Sequence, residues 1–255
     1  MSKANERYAT DVFINCPFDA DYDPLFDAIQ FAVTACGFRL RCALEVIDAS
    51  ENRLDKLIRL LRDCRLGIHD ISRTEPDAES RLPRFNMPFE LGLFLGAKRF
   101  GNKSQQNKNC LILDSEKYRY QKFLSDIAGQ DIAAHDNAPS KVLTLVRDWL
   151  NTQAGSQQLP GPMQLSKQFA SFLRDRTDIC RELRLDQHSL AFKDRAEVVK
   201  AWFEQAEINR SITQADSSLT ATAKVGIKAQ LSTALDDVSL TGTATVNDPP
   251  DDLRK

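Results

Sequence analysis

Several kinds of chemistry are excluded by what this sequence lacks. Its six cysteines form no C-x-x-C pair, and its three histidines (His69, His135, His188) stand apart from one another. No zinc-type cluster is therefore written in the spacing, and no metal is expected. Cys16, Cys36, Cys42, Cys64, Cys110 and Cys180 fall mostly inside apolar runs, as buried reduced thiols do, so disulfides are not expected either. The most apolar stretches, Ala28 to Phe38 and Phe89 to Ala97, fall short of the ~20 residues that cross a bilayer, and the polar start MSKANERYATDVF has no secretion-signal core. The expectation is a cytoplasmic chain with no membrane partner. Charge is balanced at 34 basic and 36 acidic residues, leaving no sequence-wide footprint for phosphate backbones, so nucleic acid is not implied. Neither a repeat of solenoid period nor a G-x-G-x-x-G loop is present.

What is present is an alternation. Five short apolar runs, Val12 to Cys16, Leu40 to Val46, Leu66 to Ile71, Cys110 to Leu113 and Ile132 to Ala134, are separated by helical patterns. That order predicts βαβ units and a flavodoxin-like α/β fold around a five-stranded parallel sheet. The intervening helices are expected at Pro24 to Cys36, Glu51 to Cys64, Pro88 to Arg99 and Tyr118 to Ile127, with Ser140 to Asn151 closing the unit. Gly37 stands where a C-cap glycine belongs, and Asp48 to Glu51 reads as a capping box opening the second helix. In that helix Leu54, Leu57, Ile58 and Leu61 form an apolar stripe opposite Lys56, Arg59 and Arg62.

At 255 residues the chain has room for one substantial domain and an addition. Residues 1–151 are assigned to the α/β domain. The segment 152–164, rich in Gly, Pro, Gln and Ser, reads as a linker, and 165–209 as a small helical region with stripes at Leu165, Phe169, Phe172, Leu173 and at Val198, Val199, Trp202, Phe203. So small a core needs the first domain or another subunit. One expectation is that residues 163–209 mediate a homo-oligomer or contact a partner protein; the other is packing onto the α/β domain. From residue 210 there is no Phe, Tyr or Trp, and 210–255 reads as a polar tail, disordered or adding a hairpin over the alternation Leu219 to Leu231.

The segment carrying chemistry is Asn86-Met-Pro-Phe-Glu-Leu-Gly-Leu-Phe-Leu-Gly-Ala97. It follows the third strand and so opens a helix at the carboxyl edge of the sheet, where open α/β folds bind ligands. Met87 precedes a proline, which predicts Pro88 as the first helical residue and Glu90 in the first turn. Glu90 is the sole polar residue between Phe89 and Ala97, and a carboxylate there is expensive unless it faces a cleft. An acid in a first turn also complements the helix dipole by about 0.3–1 kcal/mol, so the residues alone leave a structural and a functional role equally open. Gly92 and Gly96 are expected to let the helix approach the sheet or a ligand closely.

Taken with Asp11 to Phe18, Leu66 to Ser72 and Asn109 to Leu113, this segment resembles the bacterial TIR-like domains; N-x-x-F-E-L-G is similar to the pattern of nucleotide-binding TIR effectors and nucleoside deoxyribosyltransferases. The resemblance spans residues 10–150. It implies that Glu90 is the catalytic carboxylate, with NAD as substrate rather than cofactor. The implied activity is an NAD glycohydrolase in antiviral defence. A nucleoside deoxyribosyltransferase and a non-catalytic module that senses a nucleotide or a protein remain open. Pro88 inside the motif and the charged loop Arg73 to Phe85 depart from the pattern.

Further substrate contacts are expected by location. Asn15, Phe18 and Asp19 lie at the end of the first strand and in its following loop, where Asn15 could bond a ribose hydroxyl and Phe18 could stack on a base. Asp48 and Ser50 occupy the second loop, Asp70 and Ser72 end the third strand, and Asn86 precedes Glu90 by one turn. Each has a plainer reading as a turn, cap or packing residue.

Overall fold

A computed structural model describes residues 3–74, 76 and 81–211. Residues 1–203 make one compact unit, and residues 204–255 another, of which 204–211 are described and are helical. The sequence expectations for residues 212–255 lie outside the described residues.

The first unit is built on five parallel strands: β1 (Asp11–Asn15), β2 (Arg39–Arg41), β3 (Leu66–Asp70), β4 (Asn109–Asp114) and β5 (Ile132–Ala134). Their order is β2-β1-β3-β4-β5 and every pairing is parallel, as in the flavodoxin-like doubly wound sheet. Alternation within a strand sends side chains to opposite faces. Val12, Ile14, Leu66, Ile68, Leu111 and Leu113 therefore join α2 (Asp23–Ala35) and α6 (Pro139–Asn151) in one core. Phe13 faces the other way, against Leu57, Leu60 and Leu61 of α3 (Arg53–Asp63) and Phe94 of α4 (Asn86–Phe100). Helices cover both faces, which is why the strands are nearly continuous apolar runs. Two short helices complete the unit's edge, α1 (Lys3–Thr10) and α5 (Lys103–Gln106).

α2 ends as its sequence predicts: Gly37 takes φ +76°, its N–H bonds Thr34 O, and Phe38 N bonds Val33 O. Other boundaries differ, each for a local reason. The expected strand Leu40 to Val46 stops at Arg41 because Cys42 Sγ accepts from Leu44 N and residues 43–45 turn back, letting Glu45 pair with Arg41. The capping box is not formed: Asp48 Oδ1 instead accepts from Ser50 N and Oγ, and Asn52 caps α3 by accepting from Leu54 N at 2.9 Å. α3 buries Leu57, Leu60 and Leu61, while Leu54 and Ile58 of the expected stripe are exposed. The expected helix Tyr118 to Ile127 is two 3₁₀ turns, entered through Tyr118 at φ 62°, a left-handed conformation that breaks a helix.

The C-terminal helical region up to Phe203 lies on α2. α7 (Pro162–Glu182) begins inside the segment expected as linker, and α8 spans residues 192–211. Phe31 of α2 meets Phe169, Phe172, Trp202 and Phe203, with ring centroids 5.1–5.5 Å apart. Phe169, Phe172 and Trp202 are buried there, and Trp202 Nε1 donates to Asp175 at 2.9 Å. These aromatic stripes thus serve the core of the unit. Of the two expectations for them, intramolecular packing is the one seen. Arg176 and Arg195 add ion pairs to Asp27 of α2. No helix among the described residues is long and apolar enough to cross a membrane.

Candidate functional site

β1 and β3 are neighbours whose chains leave in opposite directions, β1 towards β2 and β3 towards β4. The gap above their carboxyl ends is the switch point at which such sheets bind ligands. α4 starts there. Asn15, the last residue of β1, donates from Nδ2 to Met87 O at 2.8 Å and faces His69 Nδ1 at 3.3 Å, tying β1, β3 and the first turn of α4 together.

α4 begins at Asn86, two residues before the position that Met87-Pro88 predicts. Pro88 fits the first turn because N–H groups there have no intrahelical partner, so the restriction on Met87 is tolerated. Glu90 is consequently past the first turn, and Phe85 at the N-cap makes no side-chain bond. The first-turn position from which an acid would complement the helix dipole is therefore not the one Glu90 occupies. Glu90 lies instead on the inward face with Met87, Leu91 and Phe94, 8 % exposed. None of the described residues hydrogen-bonds its carboxylate. Burial pushes its pKa up to about 7, with Arg53 pulling the other way. Its charge adds to the rise in the pKa of Cys16 and Cys42, after the larger effect of burial. Burial holds Cys16 far above its usual range and Cys42 up to about 12, so neither is a thiolate at neutral pH. His69 is driven down to about 3 by burial and stays neutral.

Gly92 and Gly96 do not bring α4 close to the sheet: a Cβ on either meets nothing within 4 Å. The close approach is at Gly67 in β3, where a Cβ would come within 2.8 Å of the Phe94 ring and 2.9 Å of His69 Nε2.

A second group surrounds Asp70, fully buried at the end of β3. Its carboxylate accepts from Tyr22 Oη at 2.6 Å and Ser72 N at 2.8 Å, and His135 Nε2 stands 3.1 Å away without the alignment of a hydrogen bond. His135 Nδ1 accepts from Asn137 N, which leaves Nε2 as the ring nitrogen turned towards Asp70. Ser72 is buried beside it and gives its carbonyl to Arg119. Arg119 also donates twice to Asp114 at the end of β4, whose second oxygen is buried without a hydrogen bond. Tyr22, Asp114, Arg119 and His135 were not singled out from the sequence. The legible signal was position, since Asp114 ends β4 and His135 directly follows β5.

The remaining expected residues divide. Phe18 is 43 % exposed and packs edge-on against Phe26. Asp19 accepts from Tyr22 N and pairs with Arg84 at 3.1 Å and Arg73 at 3.5 Å, clamping the β1–α2 loop to the segment leading into α4. Asn86 is exposed one turn before Glu90. Asp48 is exposed and spent on its own turn with Ser50. Asn15, Asp70, Ser72 and Glu90 are thus gathered at one edge, with Phe18 and Asp19 on its rim, while Asp48 is bonded only within its own loop.

A cavity of about 620 Å³ lies at the other end of the strands, lined by Arg7, Arg39, Arg41, Arg62 and Asp11. Its Arg39 and Arg41 are tied to Asp11 and Glu45, and helices present carbonyl ends at that edge, so the chemistry is better sought at the carboxyl end. Among the described residues no group of three or more His, Cys, Asp or Glu could hold a metal ion, and all six cysteines are free thiols. Comparison with protein-family models, curated proteins and solved structures gives no match.

Proposed function

We propose that the chain binds a nucleotide at the carboxyl edge of its sheet and cleaves an N-glycosidic bond with Glu90, acting as a TIR-like NAD glycohydrolase. The observation that carries this reading is Glu90 itself: a buried carboxylate without a hydrogen-bond donor among the described residues, raised to about 7, at the switch point of a doubly wound sheet. An apolar residue on that inward helical face would pack at less cost. The TIR-like resemblance of the segment around it selects the reaction, and the defence role belongs to that resemblance.

The chemistry suits a lone carboxylate. When the nicotinamide–ribose bond breaks, its electron pair goes to the ring nitrogen, which loses its positive charge, so the leaving group needs no proton. Charge then develops on the ribosyl carbon, as in other glycoside cleavages. An ionised Glu90 in a site stripped of water stabilises that cation, or bonds to it before water arrives. Water supplies the hydroxyl, and its proton leaves to solvent through the carboxylate. Neither neutral His69 nor the protonated thiols compete for that role. Asn15, whose buried Oδ1 has no hydrogen bond, is the candidate for a ribose hydroxyl, whereas the fully buried Asp70 carboxylate is already held by Tyr22 and Ser72.

The test is to incubate the full chain with NAD and, separately, with a deoxynucleoside. Release of nicotinamide supports the reading, release of base only from the deoxynucleoside points to deoxyribosyl chemistry, and binding without release marks a sensing module.

A further inference from the structure

Beside Phe18 the same edge carries a smaller cavity of about 180 Å³, walled by Pro17, Phe18, Phe26, Leu44, Ala191 and Phe192. Three distant parts of the chain make it: the β1–α2 loop, the turn after β2, and the connection from α7 to α8. Its aromatic wall is continuous, with Phe18 edge-on to Phe26 at 5.6 Å and Phe26 facing Phe192 at 6.1 Å. Arg195 also lines it, its guanidinium 5.7 Å from the Phe26 ring, but that charge is already held by Asp23 at 2.8 Å and Asp27 at 3.1 Å. The slot therefore offers no free cation for a phosphate. It offers flat apolar surface with a charge-neutral polar edge, the lining on which a heteroaromatic ring stacks. An apolar cavity of ~150 Å³ takes up benzene, so this one is of a size for a single or fused ring. Phe18 and Leu44, 43 % and 45 % exposed, leave apolar surface at the mouth that such a ring would cover.

Its position relates it to Glu90. Pro17 is two residues past Asn15, whose Nδ2 donates to Met87 O, three residues before Glu90 in α4. We propose that this slot binds the heteroaromatic base of a nucleotide, and that residues 190–195 of the C-terminal helical region complete it. The proposal rests on the reading of Glu90 as the group that meets the sugar. It gives the C-terminal helices a second duty besides covering α2.

The test uses full-length Glu90→Gln protein, which holds NAD without turning it over, titrated calorimetrically with NAD and with AMP. Phe18→Ala removes the stacking face, and Ala191→Trp fills the slot; both positions are exposed, so melting temperature should be unchanged. Each added substitution is expected to weaken NAD and AMP binding about tenfold or more, the range of one base–aromatic stack. Equal affinity in all three proteins overturns the slot while leaving glycosidic cleavage untouched. Weakened binding in the substituted chains, combined with a wild type that releases no nicotinamide, upholds the slot and defeats the glycohydrolase reading. Failure of Glu90→Gln and wild type to bind either nucleotide overturns the slot outright.

Discussion

Asn15 reaches from the end of β1 to the carbonyl of Met87, 2.8 Å away, and so fixes where α4 starts relative to the sheet. Glu90 is carried one turn further along that helix, and its position depends on this bond. Asn15→Ala should leave the Met87 tether and the buried pocket around it unsatisfied, lowering stability by about 1–3 kcal/mol. Denaturant unfolding measures this. A change below a few tenths would show that α4 is held by packing alone.

Glu90 should leave a signature in the pH dependence of stability. Its folded pKa of about 7 lies above the ordinary 4.5, so the folded chain binds the proton more tightly than the unfolded one. Stability from this group is full below 4.5 and falls as pH rises to about 7, a loss on the order of 3 kcal/mol. Glu90→Gln should therefore flatten the stability profile between pH 5 and 8. An unchanged slope would contradict a desolvated carboxylate.

Activity should run opposite to stability. Since only the ionised carboxylate opposes a developing cation, kcat/KM for nicotinamide release should drop tenfold per pH unit well below about 7. A rate that rises as pH falls would assign Glu90 a proton-donating role instead.

Gly67 is the position that brings α4 onto β3. Gly67→Ala drives a methyl to within 2.8 Å of Phe94, whose ring is fully buried and cannot swing away, so a loss of about 1–3 kcal/mol is expected. Combining it with Phe94→Leu should recover part of that loss. A neutral Gly67→Ala would mean the helix sits further from the sheet.

Much of this fold was legible because parallel strands buried on both faces leave apolar runs that no surface element imitates, and Gly37 marked the end of α2 by its need for positive φ. The errors have physical causes. The short edge strand β2 and the 3₁₀ turns after Tyr118 are set by Arg41–Glu45 and by Arg119 binding Asp114, contacts that local propensity does not encode. The duty of α7 and α8 was written in α2, which buries every residue from Leu25 to Val33 and so had to be covered on more than its sheet side. At the site, Glu90 stood out as one acid in an apolar run, whereas the contacts of Asp70 with Tyr22 and His135 join residues 48 and 65 positions apart and were invisible in sequence.

The central claim is that Glu90 acts on an N-glycosidic bond, and nicotinamide release from NAD by wild type and by Glu90→Gln measures it most directly. The amide keeps the shape and removes the charge. The account predicts release by the wild type and a loss of at least a hundredfold in Glu90→Gln, with the two proteins sharing the same circular dichroism spectrum and each melting cooperatively. Full activity in a folded Glu90→Gln protein would contradict it.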